Sequence, residues 1–175
     1  LKNSDTIVGY KLYIDLIADI VKDKQIIASA MRKEIERVAL AIQEVQLGKI
    51  VSIVSSGDPG VYGMAGLALE LAYKENIDLP IEIISGIPAA NAAAAVLGAP
   101  LMHDYAVISL SDLLTPWEII EKRVKSAAEA DFVIVLYNPM SSQRDWQLTK
   151  ASEIILQYKS PNTPVGIVKD VSRED

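Results

Sequence analysis

Short apolar runs alternate with longer amphipathic ones along the chain, and this alternation predicts strands followed by helices. "TIVGY" (6–10) has the β-branched content of a strand, and "KLYIDLIADIV" (11–21) behind it has helical spacing. The clearest helix is "MRKEIERVALAIQEVQLG". There Met31, Ile35, Val38, Ile42 and Val45 fall four, three, four and three apart as one core-facing stripe, and Gly48 supplies a left-handed stop. "IVSIVS" (50–55) reads as a buried strand, residues 61–75 as a helix and "IEII" (81–84) as a further strand. "PAANAAAAVLG" opens a helix at Pro88, where a first turn accepts proline. "AVISL" (106–110) is a strand, and Thr115-Pro116-Trp117-Glu118 spells a capping box that starts a helix. "FVIVLY" (132–137) is a strand, 144–158 a helix and "VGIV" (165–168) a last strand. Strands alternating with helices make this an α/β chain with largely parallel sheets covered on both faces. The Gly- and Pro-bearing stretch "GAPLMHDYA" (98–106) joins two halves, expected as domains 1–104 and 105–175.

Composition narrows what such a chain does. No membrane-spanning helix is expected, and no signal-peptide pattern is present. The absence of cysteine excludes disulfides, thiolate metal sites and a cysteine nucleophile, and suits a reducing cytoplasm. The net charge is −6, and no dense Lys/Arg cluster offers the footprint that nucleic acid needs. A single histidine, His103, restricts acid–base chemistry near neutral pH, and beside Asp104 it reads as a surface or linker residue.

The chemistry therefore has to come from loops beyond the carboxyl ends of the strands, where open α/β sheets bind ligands. These are "SSGDPGVYG" (55–63), "SGIPAAN" (85–91), "SLSDLLTP" (109–116), "YNPMSSQRD" (137–145) and "KDVSRED" (169–175). Glycine there lets main-chain amides approach a ligand, and Asp58 offers an acceptor to a ribose or an amine. Singly, each loop reads as well as a turn: "GDPG" and Asn138-Pro139 are common turn sequences, and Ser85-Gly86 a plain strand-to-helix connection. Neither G-x-G-x-x-G after a strand, nor a P-loop, nor G-x-S-x-G, nor H-E-x-x-H occurs. What survives is a ligand held by main chain and small residues, without metal or covalent catalysis.

Taken together and in order, "VGYKLYIDLI", "MRKEIERV", "SSGDPGVYGMAG", "SGIPAANAAAAVLGAPLMHD", "ISLSDLLTPWEIIEKR" and "YNPMSSQRDWQL" closely resemble the tetrapyrrole (corrin/porphyrin) methylase family. The resemblance runs over essentially the whole chain, on its branch acting at carbon 17 of the macrocycle. It implies transfer of a methyl group from S-adenosyl-L-methionine to carbon 17 of precorrin-3B or cobalt-precorrin-3, with ring contraction, in cobalamin biosynthesis. S-adenosyl-L-homocysteine is the product. It also implies two α/β domains with a cofactor cleft between them, a homodimer, a cytoplasmic location, and no membrane or nucleic-acid partner. Cofactor contacts carried over by motif fall on Ser56, Gly57, Asp58, Val61, Pro88, Ala89, Asn138 and, near the end, Val171.

Alignment of nucleophile, methyl and sulfur accounts for up to about 7–11 kcal/mol in favourable intramolecular cases, so no dedicated base is obligatory. The substrate's carboxylates call for cations. Arg32, Lys33 and Arg37 cluster on the polar side of one helix, and Arg144 follows "YNP", where a guanidinium suits a carboxylate. Asp112 and Asp104, on loops expected at the cleft, are the candidates for handling the proton of ring contraction. Family members usually begin with a strand and a Gly/Pro-rich loop. This chain is expected to lack that strand–helix unit and the final strands of the second domain. The alternatives are methylation at another precorrin or tetrapyrrole position, or an inactive S-adenosylmethionine-binding fragment.

Overall fold

The computed structural model describes residues 1–142 and 144–171. These gather into two compact units, Leu1–Ala89 and the residues from Ala90 onward. In the first unit, strand β1 (Thr6–Tyr10) lies between β2 (Gln25–Ser29) and β3 (Val51–Val54), and all pairings are parallel. Thr6 stands level with Gln25 on one side and Val51 on the other. Flanked on both edges, β1 is buried from Thr6 through Gly9, which is why its apolar run is unbroken rather than alternating.

Helix α1 (Lys11–Asp15) stops well short of the expected residue 21. The chain continues in turns with short-range bonds such as Ile17 N–H to Ile14 C=O (3.1 Å) and Ile20 N–H to Ile17 C=O (2.9 Å). Its apolar residues still serve a core, because Ile14 and Val21 pack with Ile7. Helix α2 (Glu34–Gln46) buries Val38, Ala41 and Ile42. The predicted stripe holds only from Val38 onward: Met31 precedes the helix, and Met31 and Ile35 are exposed. Gly48, at φ +83°, closes the helix as its sequence position requires. Helix α3 (Ala65–Lys74) packs Ala68 against Val38 and Ile42, with Ile53 of β3 beneath them.

Helix α4 (Ala89–Val96) follows Pro88. In the second unit β4 (Tyr105–Ser109) and β5 (Val133–Tyr137) pair in parallel, Tyr105 level with Val133, around the crossover helix α5 (Trp117–Glu129). Helix α6 (Gln147–Ile155) completes a core of Ile108, Leu110, Ile120, Val124, Ala127, Ala151 and Ile154. Trp117 and Trp146 meet edge to face, centroids 4.8 Å apart, and link α5 to the entry of α6.

Four expectations change. The strand Gln25–Ser29 forms without having been foreseen. Residues 81–84 and 165–168 belong to no ladder among the described residues. Ile84, Val165 and Ile167 are largely exposed, so neither segment meets a neighbour that would make it a strand. The capping box does not close. Pro116, with ψ 143°, occupies the N-cap position and brings no side-chain bond, so Thr115 is displaced one residue outside the helix.

Candidate functional site

Because both sheets are parallel, the carboxyl ends of their strands share one edge in each unit. In the first unit this edge carries the β2–α2 turn and the 55–63 loop. Left-handed backbone concentrates there: Arg32 (φ 66°), Gly57 (φ 72°) and Tyr62 (φ 53°). Such φ values are uncommon for a substituted residue and cluster at ligand loops.

The loop after β3 is knit to itself. Ser55 Oγ accepts from Met64 N–H (3.2 Å), Val61 N–H donates to Asp58 C=O (3.1 Å), and Ala65 N–H to Pro59 C=O (3.0 Å). Asp58 Oδ1 accepts from Gly60 N–H at 2.8 Å and Oδ2 from Gly86 N–H at 2.9 Å. The Gly86 amide, then that of Gly60, holds the Asp58 carboxyl below the ordinary carboxylate range, against the opposing pull of burial. Glycine at 86 is explained by contact within the protein. A Cβ there would stand 2.1 Å from the Gly57 carbonyl oxygen, so the space beside Gly86 is taken by main chain.

Around this clasp Ser56, Gly57 and Ala89 are exposed, while Val61 and Pro88 are half-buried. Exposed main chain and small side chains at a strand end fit an adenosyl group. A groove of about 240 Å³ lies beside the loop, lined by Val38 and Ile42 of α2, Ile53 of β3, Pro59, Leu79 and Ile83. A larger hollow, about 370 Å³, sits on the flank of α5 and α6 at Trp117, Glu121 and Trp146. It holds none of the predicted residues.

Of the cations expected to cluster, Arg32 is exposed in the β2–α2 turn and Lys33 pairs with Glu36 at 2.8 Å. Arg37, predicted on the polar side, is instead buried at 3% exposure and bonds to Ser29 Oγ (2.7 Å) and the Ala30 carbonyl (2.9 Å). The helix begins at Glu34 rather than Met31, and Arg37 falls on the face that carries Val38, Ala41 and Ile42 inward.

In the second unit the loops after β4 and β5 are laced together. Asn138 (φ 52°) donates from Nδ2 to Ser109 Oγ at 3.0 Å, and its carbonyl accepts from Arg144 Nε at 2.8 Å. Arg144 Nη1 reaches Ser111 Oγ at 3.4 Å. Gln147, 1% exposed, donates to Asp112 Oδ2 at 3.0 Å, while its own buried Oε1 has no partner among the described residues. Tyr137, the last residue of β5, accepts the Ala90 N–H on its hydroxyl (2.9 Å) and so ties down the start of α4.

Asn138, Arg144 and Asp112 thus come together at the strand ends. Asp104 does not: it precedes β4, and its carbonyl accepts from Val133 N–H at the opposite, amino end of the sheet (3.2 Å). Its expected place on a cleft-side loop is corrected by the direction of the strand. Val171 is half-buried at the end of the described chain. Gln147 and Ser109 were missed, since a lone glutamine or serine carries no motif. Among the described residues no group of three or more His, Cys, Asp or Glu could hold a metal, and no helix is long and apolar enough to cross a membrane.

Comparison with known proteins places the chain in a family. The model of the family Tetrapyrrole (Corrin/Porphyrin) Methylases matches residues 1–175. A relative from Salmonella typhimurium, named "Probable cobalt-factor III C(17)-methyltransferase", is 51% identical over 174 residues, 99% of this chain and 72% of its own. "Cobalt-factor III methyltransferase" from Priestia megaterium is 48% identical over 178 residues; the match takes in 99% of this chain but only 33% of the relative. The crystal structure of the methyltransferase CobJ superposes with a TM-score of 0.85 at 41% identity, covering 91% of this chain and 67% of that one. The chain therefore spans from about a third to about seven tenths of the length of these relatives. It belongs to the tetrapyrrole (corrin/porphyrin) methylase family.

Proposed function

We propose that the protein is an S-adenosyl-L-methionine-dependent methyltransferase acting on carbon 17 of precorrin-3B or its cobalt counterpart, with ring contraction, in cobalamin biosynthesis. The observation that carries this reading is the 51% identity, over 99% of the chain, to a relative named for C(17) methylation of cobalt-factor III. When bound, S-adenosylmethionine supplies a methyl group already activated by its positive sulfur.

The protein's own residues bind and orient. In the first unit, Ser56, Gly57, Asp58, Val61, Pro88 and Ala89 are assigned to the cofactor by their positions in the loop after β3 and at the start of α4, where Ser56, Gly57 and Ala89 are exposed and main chain rather than the Asp58 carboxylate meets the ligand. In the second, Asn138 and Val171 are assigned to it by their positions in the loops. Arg32 and Arg144 are assigned to substrate carboxylates. Arg144 already braces Asn138 and Ser111, and this presents its guanidinium in a fixed orientation. Asp112 is assigned to the proton released on ring contraction, with Gln147 holding one of its oxygens. A cytoplasmic homodimer belongs to the same reading.

The test is incubation with methyl-labelled S-adenosylmethionine and precorrin-3B or cobalt-factor III, followed by mass spectrometry and carbon NMR of the product. One labelled methyl on carbon 17 of a contracted ring is expected. A label on another ring carbon, or none from a protein that binds the cofactor, would overturn it.

A further inference from the structure

Both oxygens of Asp58 end on main-chain amides of the protein, and the two amides belong to different segments. One is Gly60, two residues on; the other is Gly86, separated by 28. The surrounding glycines are shaped to this contact. A Cβ at Gly60 would stand 3.2 Å from Asp58 Oδ1, and one at Gly86 would strike the Gly57 carbonyl oxygen at 2.1 Å and its carbon at 3.0 Å. Any larger residue at 86 would push its segment off the turn before the amide met the carboxylate. Gly57 itself lies at φ +72°, bringing its carbonyl under residue 86, where Ile87 and Pro88 also approach it. Amides donating to an ionised carboxylate make stronger links than neutral pairs. One acid therefore locks two loops that no strand pairing joins.

We propose that Asp58 is a positioning residue: its carboxylate clasps the segment at Gly86 to the turn at Gly57–Gly60, setting the main-chain surface that meets the adenosyl group, and takes no ligand group itself. The ligand half of this inference rests on the reading above; the clasp rests on the two amides alone.

Asp58→Asn tests both halves, because it preserves size and one acceptor oxygen but turns an NH₂ toward one of the amides. In the ligand-free full chain, hydrogen exchange at Gly60 or Gly86 should quicken at least about tenfold, with β1 unchanged. Calorimetry should show S-adenosylhomocysteine affinity falling about tenfold or more. The same fall, within about twofold, is expected for its 2′-deoxy and 3′-deoxy analogues, as for changes at independent sites. A deoxy analogue that escapes the loss would mean that the carboxylate grips the ribose, and the proposal would be wrong. Unaltered exchange at both amides would also sink it. Gly86→Ala, which parts the loops but keeps the acid, should reproduce the affinity loss; full affinity in that variant overturns the proposal even if Asp58→Asn does not fold. Wild-type protein that binds no S-adenosylhomocysteine removes the adenosyl reading and the positioning role with it, while the exchange rates still decide the clasp.

Discussion

Arg37 is the residue whose placement asks most of the fold. At 3% exposure its charge has left water, and among the described residues none of its partners is a carboxylate: Ser29 Oγ, the Ala30 carbonyl and, at 3.6 Å, the Met64 sulfur. Burying an ion is costly, and hydrogen bonds to the guanidinium offset part of that cost. Here they tie the carboxyl end of β2 to the entry of α3, the two sides of the strand-end loops. Arg37→Ala leaves the Ala30 carbonyl unpaired and opens a cavity, and should cost about 2–4 kcal/mol. Arg37→Met refills the volume and removes the buried charge, so its cost should be clearly smaller. Urea denaturation midpoints of the two variants check this, and methionine proving as damaging as alanine would contradict it.

At the scale of elements, the opposite edge of the first sheet is fastened by one polar cluster. Buried Thr6, at the start of β1, donates to Glu44 Oε2 (3.1 Å), on the last turn of α2. Lys49, ahead of β3, donates to Glu44 Oε2 (2.6 Å) and to Gln25 Oε1 at the start of β2 (2.8 Å). The Lys49 hydrogen bond is the main cause holding the Glu44 carboxyl below its ordinary 4.5, helped by Thr6 and opposed by burial. A carboxyl whose pKa falls on folding adds stability above its unfolded pKa, and that stability disappears as pH drops through the lower folded value. Glu44→Gln should therefore be less stable than wild type at neutral pH, with the gap closing as pH falls through and below the ordinary carboxylate range. Thermal melts across that range check it, and parallel curves would refute it. This cluster was invisible in the sequence because its members come from three separate elements and the turn before β3. The elements themselves were legible where local pattern and neighbours agree, as in β1, β3, β4, β5 and the apolar stripe of α2 from Val38 onward. "IEII" at 81–84 has strand composition but no partner, whereas "QIIAS" at 25–29 is half-exposed and became a strand because β1 lies beside it. Propensity describes a residue that suits a pleated surface; the ladder is a property of two segments. The site divides the same way: its loops could be read in order, but the bond from Asp58 to Gly86 and the turn of Arg37 into the core needed coordinates.

For the whole molecule the deciding quantity is charge. The chain carries −6, and the proposed substrate is a macrocycle bearing several carboxylates, so the overall field repels what the site must take in. The cations assigned to the substrate, Arg32 and Arg144, act over short distances from strand-end loops. Screening separates the two effects, since the Debye length shrinks from about 30 Å at 0.01 M salt to about 8 Å at 0.15 M. At low salt the net negative field reaches an approaching macrocycle; at physiological salt only groups beside it are felt. Association should therefore quicken as sodium chloride rises from about 10 to about 150 mM and level off beyond, the reverse of binding steered by a basic surface. Arg144→Ala should bind the macrocycle more weakly at every salt concentration yet keep the rising trend, because it removes a local contact and leaves the overall field more negative. Stopped-flow absorbance of the macrocycle resolves the rate. Association that instead slows steeply with added salt would show that a local positive surface governs capture, and the whole-molecule account would have to be abandoned.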